Sequence, residues 1–351
     1  MRARSDFLRR LRAVRRLRIS LRGWGGVGAM AVVCVLAVAF VLLLPLTQSR
    51  GEAGADAGGQ HMTQGVQARA PKCDDSTVQD QSPPPSDAEG TTVKAIKDRG
   101  YLLVGVDQNS YRWGYLNPNG SGDLEGFDID LAHAIAKDIF GSSYTPNKVR
   151  LLAIPTDQRI PAVQKKRVDM VVRTMTITCD RAALVAFSAP YFVTGQQVLA
   201  PKVSSITGYN DTLANKRVCS AATSTANKHL NADKGHKIPA GVKIMDPVPN
   251  QLDCLVKLQL GEADAVVTDG ALAASQAAQD PTVELKGSPF TTEYYGVAMN
   301  LKATDLVRRV NRILETYRTD PNGWRASYAK WLRPTLPPDS TSANPPVPHY
   351  K

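Results

Sequence analysis

The stretch Val168–Tyr191, VDMVVRTMTITCDRAALVAFSAPY, constrains this chain more than any other. Its β-branched opening, Val168 to Val172, reads as a strand buried on both faces. A polar run follows, Arg173-Thr174-Met175-Thr176-Ile177-Thr178, leading to Asp180-Arg181 and then to the aromatic turn Phe187-Ser188-Ala189-Pro190-Tyr191. A strand that releases backbone amides, hydroxyls and a fixed guanidinium at its carboxyl end is equipped to hold a small carboxylate. Taken alone, the same letters also fit a parallel strand leading into an ordinary loop, with Arg181 paired to a surface acid.

The formal net charge of +11 suggests a polyanion partner, but its distribution argues against one. Residues 1–22 carry nine Arg against one Asp, so most of the excess sits in an N-terminal arm. The remainder has no basic stripe interleaved with aromatics, which argues against a nucleic-acid groove. Residues 23–49 carry no charge. Trp24–Leu46 as a helix spans about 34 Å at ~1.5 Å per residue, enough to cross a hydrocarbon core of about 30 Å. Arginines on its amino side place that end in the cytoplasm and the bulk outside. A cleavable signal peptide is the competing reading, with an apolar core of about 7–15 residues as its usual mark. We take 1–22 as a cytoplasmic arm and 23–46 as an uncleaved transmembrane anchor, which makes this a single-pass membrane protein with its folded part on the extracellular side. Residues 47–90, poor in large apolar side chains and containing Pro83-Pro84-Pro85, are expected to be a disordered linker. The same is expected of 334–351, where six prolines fall.

Between those tails the pattern alternates strands and helices, an α/β signature with a parallel sheet and a ligand at the strands' carboxyl ends. Expected helices include Thr91–Arg99, Phe127–Phe140, Gln251–Leu260, Ala271–Ala278 and Asp305–Tyr317. Expected strands include Leu102–Val106, Val149–Ala153, Arg217–Ser220, Ala265–Val267 and Val283–Leu285. Asp128 and Asp130 have a structural explanation in the first turn of their helix. Cys219 and Cys254, on a strand and a helix of the exported part, are expected to form a disulfide, with Cys179 as the rival partner and three buried thiols as the alternative.

The run Thr176-Ile177-Thr178-Cys179-Asp180-Arg181, followed by Phe187-Ser188-Ala189-Pro190-Tyr191, resembles the signature of family 3 extracellular solute-binding proteins, the amino-acid receptors of ABC transporters. Gly126-Phe127-Asp128-Ile129-Asp130-Leu131-Ala132, Val168-Asp169-Met170 and Gly261-Glu262-Ala263-Asp264-Ala265 with Asp269 match further family elements, in family order, across roughly residues 92–333. The resemblance implies a two-lobed, type II periplasmic-binding-protein-like clamshell, with lobe 1 formed by 91–199 plus 291–333 and lobe 2 by 200–290. It implies Arg181 on a ligand α-carboxylate and Asp269 on its ammonium. Ser224 and Thr225 sit where the family has G-S-T, with Thr223 in place of the glycine, and Thr174 and Thr176 offer further contacts. The aromatic wall of the family corresponds to the loop carrying Tyr111, Trp113 and Tyr115. The chain is most similar to an actinobacterial glutamine/glutamate-type subgroup with a V-R-T-M-T-I-T-C-x-R run. On that basis Arg173 is expected to take a second carboxylate, giving glutamate, aspartate or glutamine as ligand. Asp107 pulls the other way, toward a side-chain amide, and a pairing of Asp107 with Arg173 would leave neither free.

No H-E-x-x-H, G-x-S-x-G, C-x-x-C, P-loop or G-x-G-x-x-G occurs, and the five histidines are scattered, so no enzyme chemistry, metal or cofactor is expected. The expected partners are an amino acid and an ABC permease. A membrane signalling protein in place of the permease, or a dehydratase-like enzyme on the same fold, are the alternatives.

Overall fold

The computed structural model describes residues 73–120, 122–336 and 340–351. The arm, the apolar segment 23–46 and most of the expected linker lie outside the described residues; among those described, no helix is long and apolar enough to cross a membrane. After residues 73–90, the first α-helix among the described residues is α1 (Thr91–Arg99), which ends at Gly100 in the left-handed region, where the absence of a Cβ removes the steric cost of closing the helix. Strand β1 (Leu102–Val106) follows, then a small antiparallel sheet of β2 (Asn109–Ser110), β3 (Gly114–Leu116) and β4 (Leu124–Glu125). Helix α2 (Phe127–Phe140), β5 (Val149–Ala153), helix α3 (Arg159–Gln164) and β6 (Met170–Val171) lead to the one-turn helix α4 (Cys179–Ala182) and β7 (Ala186–Phe187).

Two crossing strands, β8 (Phe192–Thr194) and β14 (Glu293–Tyr295), pair antiparallel and join the lobes. Between them lie β9 (Gln196–Pro201), β10 (Arg217–Cys219), helix α5 (Thr225–Asp233), β11 (Lys243–Ile244), helix α6 (Gln251–Gln259), β12 (Ala265–Asp269), helix α7 (Gly270–Gln279) and β13 (Val283–Lys286). After β14 come β15 (Ala298–Met299) and helices α8 (Thr304–Thr319) and α9 (Trp324–Trp331). Lobe one is a five-stranded sheet in the order β5-β1-β6-β15-β7, parallel in its first three strands; lobe two repeats the plan as β11-β10-β12-β9-β13. In each lobe the returning strand, β15 or β9, runs antiparallel to its neighbours. All the parallel strands therefore end toward the cleft between the lobes, where an open α/β sheet places its ligand.

Several boundaries differ from expectation. The lobe change comes before residue 196, because Gln196–Pro201 is a buried strand of the second sheet rather than a crossing segment. At that change Gly195 passes so close to Thr291 that a Cβ would lie 2.2 Å from its carbonyl oxygen, so only glycine fits. Neither expected disordered segment is so over its described part. Residues 73–90 form a strap on lobe one: Val78 is buried, Ser82 Oγ donates to the Phe187 carbonyl at 2.9 Å, and Asn311 Nδ2 donates to Ser82 Oγ and to the Pro83 carbonyl at 2.7 Å each. At the other end Ser342 is buried and donates to the Val193 carbonyl at 2.6 Å, and the Lys351 amide donates to the Ser82 carbonyl at 3.0 Å. Composition missed both because a few well-placed side chains and a covalent link anchor segments that have little apolar surface of their own. Among the described residues two disulfides form: Cys219–Cys254 inside lobe two, and Cys73–Cys179, which ties the strap to α4. The rival role given to Cys179 is thereby replaced by a partner in the segment read as linker.

Candidate ligand site between the lobes

The short strand β6 leaves the sheet after Val171 and releases residues 172–178 into the cleft. Thr174 adopts φ +38°, a conformation side chains rarely take, and its amide donates to Asp128 Oδ2 at 3.0 Å. Asp128 also accepts from Tyr191 Oη at 2.9 Å, and burial pushes its carboxyl up to about 7. The aspartate assigned to a helix start thus holds the loop that carries the site. On the hinge side, the Ile177 amide donates to the Tyr294 carbonyl at 2.8 Å and the Gly296 amide to Met175 at 3.0 Å. The loop then enters α4, whose cap Thr178 accepts from the Arg181 amide.

Arg181 is 8% exposed. Its Nη1 donates to the Thr176 carbonyl at 2.8 Å and its Nη2 to the Thr223 carbonyl of lobe two at 3.0 Å. Among the described residues no carboxylate lies within ion-pair distance of it. Burial lowers its pKa, and the fields of Glu293 and Asp269 act in the opposite direction. Across the cleft, Thr223 takes φ +57°, the backbone reason for a glycine in the family's G-S-T. Ser224 caps α5, accepting from the Asn227 amide at 3.1 Å, and Thr225 begins that helix. Asp269 ends β12 and precedes α7; it accepts from Tyr295 Oη and Gln196 Nε2, and burial together with Glu293 pushes it up to about 7.

Thr174, Thr176, Arg181, Ser224, Thr225 and Asp269 line one cavity of about 10 Å³ between the lobes. That is on the order of a single water. A wider recess of about 310 Å³ adjoins it and shares Arg159, Arg181, Ser224 and Thr225. The cavity also holds residues that sequence reasoning missed: Arg159, Gln196 and Gln251. Buried Thr174 Oγ1, Gln196 Oε1 and Gln251 Oε1 have no hydrogen-bond partner, in a molecule whose other buried polar groups are mostly paired. Arg159, 4% exposed, donates from Nε to the Thr156 carbonyl at 3.0 Å and from Nη1 to the Arg173 and Thr174 carbonyls at 3.2 Å each. Its Nη2 is the nitrogen those bonds leave over. Nothing in a lone Arg before Ile160-Pro161 signals this position; only the fold turns α3 toward the cleft.

The remaining candidates lie elsewhere. Arg173 is fully buried and pairs with Asp107 at 2.9 Å; its Nη1 donates to Thr156 Oγ1 and its Nη2 to Asn250 Oδ1, both at 3.1 Å. Asp107 is filled by the amides of Gln108 and Asn109 and by Ser110 Oγ. The expectation that Arg173 reads a ligand carboxylate is therefore corrected: its charge is already neutralised, and neither it nor Asp107 lines the cavity. Trp113 is 0% exposed among Phe127, Phe192 and Tyr295, a core position rather than a stacking wall. Tyr111 lines a separate small recess against Gln251 and Leu272 of lobe two. Among the described residues no group of three or more His, Cys, Asp or Glu is placed to hold a metal.

The sequence and the fold have counterparts among known proteins. The glutamine-binding protein GlnH of an ABC transporter from Bacillus subtilis is 33% identical over 242 residues, 69% of this chain and 85% of its own. A glutamine-binding protein from Geobacillus stearothermophilus is 35% identical over 206 residues, 59% of this chain and 75% of its own. An ancestral arginine-binding protein bound to arginine superposes with a TM-score of 0.59 at 34% identity, over 67% of this chain and 99% of its own. The solute receptor for L-cysteine of Neisseria gonorrhoeae gives 0.64 at 26%, over 73% of this chain and 100% of its own. A family model matches residues 102–334, so the chain belongs to the bacterial extracellular solute-binding proteins, family 3.

Proposed function

We propose that this amino-acid-binding protein of the ABC-transporter type takes an amino acid whose side chain ends in a carboxylate or carboxamide, namely glutamate, aspartate or glutamine, and delivers it to a membrane importer from the extracellular side. One observation carries the reading: a buried arginine without a carboxylate partner, Arg181, and a buried aspartate, Asp269, line the same cavity. An α-amino acid supplies the missing carboxylate and ammonium together, and each isolated charge is costly to bury without its partner. Arg181, the amides of the 174–176 loop and the start of α5 form the carboxylate side. Asp269 and Thr176 form the ammonium side. Arg159 takes the side-chain reading role that the sequence had assigned to Arg173, because its free Nη2 suits an accepting oxygen. The like charge of Arg159 disfavours lysine and arginine. Gln251, with its partnerless Oε1, suits the amide hydrogens of glutamine.

The glutamine- and glutamate-binding names of relatives support this class, as does a neighbouring ancestral arginine-binding protein bound to glutamine, while relatives and neighbours named for histidine or cysteine, and an ancestral arginine-binding protein bound to arginine, point to other side chains. Residues 23–46 as a membrane anchor, with the arginine-rich arm in the cytoplasm, complete the proposal. The test is a thermal-shift screen of all common amino acids followed by calorimetry. Stabilisation led by glutamate, aspartate or glutamine supports the reading, and preference for a basic or aliphatic amino acid overturns it.

A further inference from the structure

We infer that the disulfide Cys73–Cys179 is a positioning clamp for Arg181, so that the strap 73–90 belongs to the binding apparatus and is not a spacer; this rests on the assignment of Arg181 to a ligand α-carboxylate. Cys179 stands two residues before Arg181 on α4, a helix of one turn. A single turn has almost no stability of its own, because nucleation fixes several residues for one hydrogen bond. The arginine it carries is buried and bonded only to two carbonyls, and burial opposes its charge. Without outside restraint such a group gains by turning toward solvent.

The strap supplies that restraint three times. Its disulfide holds Cys179; Asp75 Oδ1 accepts from the Cys179 amide at 2.6 Å, satisfying an N-terminal donor of the turn; and Val78 packs in the same cluster as Met175, Ile177 and Phe187, directly beneath the loop that leads into α4. The far end of the strap is fixed to α8 through Asn311 and through the Ser86 amide, which donates to the Arg308 carbonyl at 3.1 Å. The clamp is thus anchored to the rigid body of lobe one. A constraint of this kind keeps the guanidinium in its binding geometry before the ligand arrives, and so raises affinity by preorganisation.

The experiment uses the full chain and calorimetry with L-glutamate and with its α-amide, isoglutamine, which lacks the charged partner of Arg181. In Cys73→Ser/Cys179→Ser, glutamate affinity is expected to fall about tenfold or more, the scale of a displaced binding group, while isoglutamine affinity falls far less. Asp75→Ala, which keeps the disulfide, is expected to show the same selective loss at smaller size and serves if the cysteine variant does not fold. Equal losses for both ligands mean that the disulfide is only structural and overturn the inference, as does an unchanged glutamate affinity. A native chain that binds some other amino acid overturns only the side-chain reading, and the comparison is then made with that amino acid and its α-amide; a native chain that binds no α-amino acid overturns the assignment of Arg181, and the clamp with it.

Discussion

Two buried arginines of lobe one, Arg173 and Arg181, sit eight positions apart and meet opposite surroundings. Arg173 lies behind the cavity with Asp107 at 2.9 Å and neutral acceptors from Thr156 and Asn250. Arg181 lines the cavity with carbonyl oxygens alone. From sequence both looked like ligand-binding cations. The difference teaches that burial and charge together do not make a candidate binding residue; a buried charge with no counter-charge within ion-pair distance is the stronger candidate. The first arginine holds Asp107 and Asn250 in place, while the second is the one to which the proposed function gives a ligand carboxylate.

The sharpest way to break this comparison is to remove each guanidinium and measure stability and binding separately. Arg173→Met leaves Asp107 buried without its partner and is expected to destabilise the fold by about 3–5 kcal/mol, read by urea denaturation. Asp107→Asn combined with Arg173→Met should recover part of that loss, since the amide oxygen can still accept from the Gln108 and Asn109 amides while the stranded charge is gone. Arg181→Met is expected to leave the ligand-free fold as stable as before, or more so, and to weaken amino-acid binding by about 2–5 kcal/mol in calorimetry. If Arg173→Met folded normally and lost binding, the roles drawn above would be reversed.

A smaller effect separates Arg159 from both. Its Nε and Nη1 hold backbone carbonyls of Thr156, Arg173 and Thr174, so it is part support and part reader. Arg159→Met is expected to cost glutamate or glutamine about 1.5–3 kcal/mol of affinity, the scale of a hydrogen bond to a charged group. Alanine, which has no side-chain oxygen, should lose distinctly less. Equal losses for glutamate and alanine in competition binding would leave Arg159 a support only.

Much of the fold was legible because periodic segments with clear boundaries announce themselves: Thr91–Arg99, Leu102–Val106 and Phe127–Phe140 fall where expected. The residues that line the cavity from both lobes, Arg181, Ser224, Thr225 and Asp269, were singled out by the resemblance of their motifs to those of the family; local pattern alone read them equally well as a surface ion pair and helix caps. What sequence could not supply is pairing in space. Whether Asp107 neutralises Arg173 depends on the carboxyl end of β1 lying beside the end of β6, a tertiary fact that no local pattern records. The same holds for Cys73 and Cys179, separated by 106 residues, one of them in a stretch whose composition reads as linker. Arg159 was passed over for the converse reason, since a polar residue opening a short helix has an ordinary local explanation.

The finest probe of the comparison is pH, because the counter-charge of the cavity titrates in reach of experiment. Burial, then the nearby Glu293, pushes Asp269 up to about 7, against hydrogen bonds from Tyr295 that act downward. A ligand ammonium favours the ionised carboxylate, so below about pH 7 binding must expel a proton from Asp269. Affinity is then expected to fall by up to tenfold for each pH unit, about 1.4 kcal/mol, as pH drops from roughly 7 toward 5. The stability of the ligand-free fold moves the other way. Asp269 and Asp128 both have raised values, so each contributes stability below the ordinary aspartate range and loses it as pH rises through about 7. A loss of affinity at low pH therefore cannot be traced to these two groups unfolding the protein. Asp269→Asn should bind weakly at every pH and show no slope over that interval. A dissociation constant that stays flat in the native chain from roughly pH 8 to 5 would remove Asp269 from the ammonium site and leave Arg181 without its complement.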